Sequence, residues 1–335
     1  MTGRVEPWLE QLVLNATGAR GAGPWHTLQS LWSGYGEIQR VDLDGSEHPS
    51  VIVKRVAPPS PAQRWDAATR RSHERKLRSY AVEMAWYQSF AVRLGAGCRV
   101  PKALACRNDG KRWGFVLEDL DQAGYSERRS YLDPRLDAAS VERCLAWLAH
   151  FHATFLGATP QRLWATGSYW HLDTRPDELR AMTRRRLRAA AHELDGRLKH
   201  AKFQSFVHGD AKIENFCFPA RGTSTLEVAA VDFQYVGGGP GIRDIAYFFS
   251  SIWGSAECER HAADALSYYF AELSNALGAR LTPLAAEALE QEWRSLFPVA
   301  WADFYRFLDG WAPGHAEDHA YSERMIHAAL AGLGT

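Results

Sequence analysis

No run of apolar residues in this sequence approaches the roughly 18 needed to cross a bilayer as a helix. The opening stretch, MTGRVEPWLEQLVLNATG, carries acidic side chains and no long apolar core, unlike a secretory leader. Cysteine is scarce: five, at positions 98, 106, 144, 217 and 258, with no CxxC pair and no histidine cluster beside them. An odd count at that spacing argues against a disulfide framework and a thiolate zinc site. It fits reduced thiols in a cytoplasmic protein. Excess charge is missing as well. Lys plus Arg and Asp plus Glu each total 39, so the formal net charge is zero. A dedicated nucleic-acid binder carries a basic surplus, so no nucleic-acid partner and no membrane are expected. There is no GxxxxGK[ST] loop, no internal repeat and no low-complexity segment.

What the chain does have is a globular balance, with 46% hydrophobic and 23% charged residues, and thirteen tryptophans for packed cores or aromatic pockets. Its 335 residues predict two domains or one two-lobed domain. Apolar spacing predicts a short amphipathic helix over 4–16, followed by a break at 18–24. Alternation from Leu28 to Leu43, a turn at Asp44-Gly45 and the run Val51-Ile52-Val53 predict a hairpin. Residues 63–78 read as polar and basic, and a helix is predicted from about 75 to 94. Further strands are predicted after Val100-Pro101 and over 113–117. Beyond Asp121 the pattern turns helical, over 138–156, 177–200 and most of 258–332, with a β island at 205–236. The five-residue run Gly237-Gly238-Gly239-Pro240-Gly241 reads as a flexible turn, and the arginines at 184–188 as a solvated helix face.

The β island carries the strongest chemical signal. It reads Phe206-Val207-His208-Gly209-Asp210-Ala211-Lys212-Ile213-Glu214-Asn215, followed by Val228-Ala229-Ala230-Val231-Asp232-Phe233-Gln234. Phosphoryl transfer needs such a set. One Asp accepts or orients the proton of an attacking hydroxyl, and a second Asp with an Asn holds Mg²⁺ against nucleotide phosphates. One tight loop can aim Asp210 and Asn215 at the same phosphate. Asp232 ends a β-branched run, which suits a rigid metal ligand. His208 reads as a hydrogen-bonder that shapes the loop.

Together these segments resemble the aminoglycoside phosphotransferase/choline kinase-like branch of the protein-kinase-like fold. The HGD form with its DFQ sequel is most similar to the ecdysteroid-kinase-like phosphotransferases. The likeness extends along nearly the whole chain. Lys54 matches the strand lysine that contacts nucleotide phosphates, and Glu83 matches the helix glutamate that pairs with it, with Glu74 as a rival. The segment Ser33-Gly34-Tyr35-Gly36-Glu37 is similar to the phosphate-covering loop. The segment Phe115-Val116-Leu117-Glu118-Asp119-Leu120 is similar to the hinge whose backbone meets adenine. Leu148-Ala149-His150-Phe151-His152-Ala153 and Arg243-Asp244-Ile245-Ala246-Tyr247-Phe248 resemble segments of the second lobe. There are departures. The glycine loop lacks a third glycine, Gly209 replaces the Arg of HRD, Gln234 replaces the glycine of DFG, and no APE sequence follows. The missing Arg and APE argue against a protein substrate.

The resemblance implies an α+β, two-lobed protein-kinase-like fold, with a small β-rich N-lobe over 1–120 and a larger, mainly helical C-lobe over 121–335. It implies ATP- and Mg²⁺-dependent phosphorylation of a hydroxyl on a small molecule. In that reading Asp210 is catalytic, Asn215 and Asp232 bind the metal, and Gly34, Gly36, Lys54, Glu83, Glu118 and Leu120 serve the nucleotide. A nucleotide-binding pseudokinase, or a binding protein without turnover, is the alternative. Spacing over 297–311 predicts a helix after Pro298. Trp301, Tyr305 and Leu308 share one face, and Asp303 and Phe307 another. That surface either lines the acceptor site or packs the core.

Overall fold

The computed structural model of the protein describes residues 6–60, 65–131, 133–220, 227–315 and 320–333. The chain runs α1 (Pro7–Thr17), β1 (Gly21–Ser30), β2 (Gly36–Asp44), β3 (Ser50–Val56), α2 (Ala67–Ser89), β4 (Ala103–Asn108) and β5 (Trp113–Glu118). Next come β6 (Glu127–Arg128), α3 (Ala138–Phe155), α4 (Pro176–Ala181), α5 (Arg185–Lys199), β7 (Ser205–Val207), β8 (Phe216–Phe218) and β9 (Ala229–Ala230). It ends with β10 (Gly237–Gly239), α6 (Ile242–Ile252), α7 (Ser255–Leu277), α8 (Pro283–Trp311) and α9 (Ala320–Ala331). Two compact units emerge. Among the described residues, those up to 92, 100–127 and 217–231 form the first, and those in 93–99, 128–216 and from 232 onward form the second.

The first unit is built on an antiparallel sheet of order β1-β2-β3-β5-β4. Side chains alternate across a strand, so Val51 and Val53 turn toward one face of the sheet. There they pack with Leu9 and Val13 of α1, Val41 and Val116. Each such buried aliphatic contributes about 1.5–3 kcal/mol, which makes α1 part of the core. Lys54, next in register after Val53, turns to the opposite face. β1 begins inside the segment expected to be a break, because most of its side chains stay exposed and leave no apolar alternation to read. α2 starts at Ala67, well before the predicted 75. Its first turns are polar but rich in good helix formers, and the Asp66 carboxylate caps them by accepting from Thr69 N at 2.7 Å. Residues 4 and 5 of the predicted first helix, and residues 61–64 and 316–319, lie outside the described residues.

The second unit is mainly helical around a core that includes the fully buried Trp147, Trp170, Trp293 and Trp301. The single helix predicted over 177–200 is two, α4 and α5. The break is imposed from a distance: the buried carboxylate of Asp309 on α8 accepts from Thr183 N (2.8 Å), Thr183 Oγ1 (2.7 Å) and Arg184 N (3.0 Å). α8 begins at Pro283, capped by Thr282, and continues through Pro298 rather than starting after it. Gly237, Gly238 and Gly239 form β10, paired antiparallel with β7, not a flexible turn. A Cβ on Gly237 would sit 2.2 Å from Trp164 O, so this is glycine for close backbone approach. All five cysteines are free thiols, four of them buried. Among the described residues no helix is long and apolar enough to cross a membrane. Asp309→Ala should remove the three hydrogen bonds that fix residues 183 and 184 ahead of α5 and cost about 0.5–1.5 kcal/mol for each bond lost, seen as a lowered denaturation midpoint at unchanged slope.

Candidate active site

β7 delivers the chain to His208, and a single carboxylate then holds the turn. Asp244, near the start of α6 and fully buried, accepts from His208 N at 2.6 Å and Gly209 N at 3.0 Å. His152 of α3 lies 3.1 Å from the same carboxylate through Nε2, and its Nδ1 lies 2.8 Å from the Tyr269 hydroxyl. A carboxylate only accepts, so the proton sits on Nε2 and Nδ1 accepts from Tyr269 when the ring is neutral. Gly209 has φ +78, and a Cβ there would lie 2.2 Å from Tyr235 O. This loop therefore has no room for the arginine of HRD. His208 is fully buried, its ring 4.7 Å from Phe233, and its Nδ1 accepts from Asp210 N at 3.3 Å. Its role as a loop-shaping hydrogen-bonder is visible in that bond.

Asp210 stands at the end of this turn. Its Oδ1 accepts from the Tyr247 hydroxyl at 3.2 Å. The Asn215 Nδ2 donates to Asp210 O at 2.7 Å and to Oδ2 at 3.2 Å. Asp210 keeps part of its surface open, yet burial pushes its carboxyl up to about 7, Lys212 opposes the rise and the charge of Asp232 adds to it. Asp232 has φ 68, a left-handed conformation that Asp tolerates better than most residues, and its Oδ1 accepts from Gln234 Nε2 at 2.8 Å. Mg²⁺ is commonly held by one or two carboxylates together with substrate phosphates and water. The donor set fits that ion: Asp232 supplies a carboxylate, and Asn215, its nitrogen committed to Asp210, keeps its amide oxygen for a metal. The charge of Asp232 that adds to the rise at Asp210 is also what a cation beside them would relieve.

In the first unit, Lys54 and Glu83 form a buried bidentate pair, with Nζ 2.9 and 2.7 Å from the two carboxylate oxygens. Both side chains are at most 4% exposed, and Glu74 is exposed. Glu83 is therefore the helix partner of the lysine. Gly36 has φ +142, and a Cβ there would lie 1.9 Å from Arg55 O, so only glycine fits between β2 and β3. Gly34 also has a positive φ, with nothing near its Cβ position. Glu118 closes β5 with its N–H on Lys102 O (2.9 Å) and its carboxylate on Lys102 N (3.0 Å). The Leu120 carbonyl accepts from Tyr125 N at 2.8 Å, and its side chain is buried with Tyr125, Cys217 and Ala229. Between them Asp119, 3% exposed, binds Arg40 Nε (2.6 Å) and Ser50 Oγ (2.7 Å).

Of the two readings left open for α8, core packing is the one the structure shows. Asp303 is fully buried, accepts from Trp170 Nε1 and Arg306 Nε (both 2.9 Å), and lies 3.4 Å from Arg243 Nη1. Trp301 Nε1 donates to Ser322 Oγ at 3.1 Å and its ring stacks on buried Tyr305. Phe307 packs edge-on against Tyr169. Spacing cannot tell a lining face from a buried one when helices pack on both sides of α8.

Residues 39–284 match the model of the APH phosphotransferase enzyme family. The chain belongs to this family. Its solved structural relatives include the microcompartment-associated aminopropanol kinase (15% identity, 97% of this chain and 94% of that one covered, TM-score 0.50). Another is the amicoumacin kinase hAmiN in complex with AMP-PNP, Ca²⁺ and Ami (13%, 92% and 90%, 0.51). A third is a thermostable mutant of aminoglycoside phosphotransferase APH(4)-Ia in ternary complex with AMP-PNP and hygromycin B (11%, 98% and 100%, 0.51). At these identities the likeness is one of fold, and the fold is kinase-like. No curated protein matches the sequence. The protein is a phosphotransferase by family.

The sequence did not single out the residues that hold the His208 turn. His152 and Asp244 sit in the segments quoted for their resemblance, but their tie to the loop is tertiary. The one local signal is the polar pairs His150 with His152 and Arg243 with Asp244 in otherwise apolar helical runs. Asp244→Ala should leave two buried N–H groups unpaired, at about 1–3 kcal/mol each. A stability loss of less than about 1 kcal/mol would show that the turn holds without it.

Proposed function

We propose that the protein transfers the γ-phosphoryl group of ATP to a hydroxyl of a small molecule, with Mg²⁺ as cofactor. The observation that carries this reading is the cluster at Asp210, with Asn215 hydrogen-bonded to it and Asp232 coupled to it by charge. A carboxyl lifted toward neutrality suits a general base. As the acceptor oxygen bonds to phosphorus and the bond to the departing ADP oxygen breaks, the hydroxyl proton passes to Asp210. Asn215 and Asp232 hold the metal, which when bound neutralises charge on the phosphates. Lys54, aimed by Glu83, contacts nucleotide phosphates, and the loop with Gly34 and Gly36 covers them. The backbone from Glu118 to Leu120 meets adenine through groups other than the Glu118 N–H, the Asp119 C=O and the Leu120 C=O, which are already bonded. Relatives solved with AMP-PNP, one of them with Ca²⁺, support nucleotide and divalent-metal use in general.

The acceptor reaches Asp210 on the side of Tyr247 and the partly exposed Tyr169, whose rings lie 5.5 Å apart. The particular likeness to ecdysteroid-kinase-like enzymes rests on the HGD and DFQ residues, and a reducing, cytoplasmic setting on the free thiols. The decisive experiment is ADP release from Mg-ATP across a panel of alcohol-bearing metabolites and antibiotics. Turnover with one acceptor separates an enzyme from a binding protein or pseudokinase. Asp210→Asn should then lower turnover about 10²–10⁴-fold while nucleotide still binds, and full activity would remove Asp210 from the mechanism. Asp232→Ala should abolish the Mg²⁺-dependent part of the thermal stabilisation by ADP. An unchanged shift would assign the metal elsewhere.

A further inference from the structure

The turn between β1 and β2, which carries Gly34 and Gly36, is not a free flap. Tyr35 is buried, and its hydroxyl lies 2.5 Å from Nδ1 of buried His73 on α2. One turn further along the helix, Lys76 donates from Nζ to Ser33 Oγ at 2.8 Å and sits 4.5 Å above the centre of the Tyr35 ring. Trp65 packs edge-on against His73, with 4.8 Å between ring centres. Ser33 itself is held at φ 59, a left-handed conformation that is unfavourable for a residue with a side chain. A hydrogen bond from a fixed lysine offsets that strain, and a cation over the ring face adds attraction of its own. The turn also closes on itself, with Leu31 N donating to Gly36 O at 2.8 Å, and its exit is bonded to the end of β3 through Ala57 N on Tyr35 O at 2.8 Å.

α2 therefore carries two functions along one rod. At its C-terminal half Glu83 aims Lys54. At its N-terminal half His73 and Lys76 hold the turn. The ten helical steps from His73 to Glu83 span about 15 Å of unbroken helix. Neither end can shift along the axis without carrying the other.

We propose that His73 and Lys76 are positioning residues for nucleotide binding: they brace the turn at Ser33 and Tyr35, so that one helix sets both the phosphate-covering loop and the phosphate-contacting lysine. This rests on the reading of that loop as the phosphate cover. Neither residue touches the nucleotide in this account. Their effect is to keep the turn ordered before the phosphates arrive, which lowers the ordering cost of binding.

The test uses the full chain and Mg²⁺ with AMP-PNP, which needs no acceptor. Calorimetric Kd is measured for wild type, Lys76→Met, Lys76→Arg and Tyr35→Phe, with hydrogen exchange of the amides of residues 31–36 followed in the nucleotide-free protein. Each lost hydrogen bond should weaken binding about three- to tenfold. Lys76→Arg, which keeps a donor and a cation, should restore most of it. Exchange should quicken in 31–36 and not in the strands β3 and β5. An unchanged Kd in both Lys76→Met and Tyr35→Phe overturns the brace, even if the melting temperature falls. So does a loss that Lys76→Arg fails to rescue, or faster exchange spread across the whole sheet, since either means general destabilisation. If wild type itself does not bind AMP-PNP, the nucleotide reading falls, and the brace with it.

Discussion

The candidate catalytic loop depends on one buried carboxylate. Asp244 meets two consecutive backbone N–H groups of the His208 turn, and it is itself anchored by His152. Backbone N–H groups in such a dry place would otherwise go unpaired, at a cost that no surface interaction could match. The same helix, α6, carries Tyr247 one turn later, with its hydroxyl on Asp210. So α6 both holds the loop through Asp244 and contacts Asp210 through Tyr247. Gly209 is the geometric counterpart of this arrangement, because a turn pressed so closely against Tyr235 leaves no volume for a side chain. Arg243, the residue before Asp244, reaches Asp303, so of the two roles open to that carboxylate the buried one holds, and it helps anchor the start of α6.

The first unit solves a different problem. A lysine must be buried yet remain charged, and burial alone favours the neutral amine. Glu83 supplies both oxygens at hydrogen-bond distance, which keeps the ammonium in place. Such a pair contributes little net stability when compared with apolar side chains of the same size, but breaking it leaves an isolated charge. Its value lies in fixing where the charge points.

Much of this was readable from residues in order. The motif residues Asp210 and Asn215 fall on one turn because the spacing between them is local. The hairpin through Asp44-Gly45 and the strand of Lys54 follow from alternation and turn chemistry. Glu83 could be preferred over Glu74 by its apolar neighbours, and the structure pairs it with Lys54. What stayed hidden is whatever a distant residue imposes. Asp309 splits α4 from α5 from more than a hundred positions away. Lys76 and His73 belong to a stretch that looks like solvated charge, yet they face the β1 to β2 turn. The three glycines at 237–239 look loose in sequence and are tight in space. The two faces of α8, one with Trp301 and one with Asp303, have the period of a binding surface, but helical period reports only which residues share a face, not what covers it.

The thiols have a practical consequence. Burial pushes Cys106 and Cys258 up to about 12 and raises Cys144 well above its usual value, while Cys98 and Cys217 are enclosed as well. At neutral pH the reactive thiolate form is therefore scarce at the three raised thiols, and the two enclosed ones are shielded from reagent. A cysteine placed on an open surface would outcompete all five native ones for an alkylating probe. The folded chain can thus be tagged at one chosen position with a dye or spin label without first deleting any of its own sulfur.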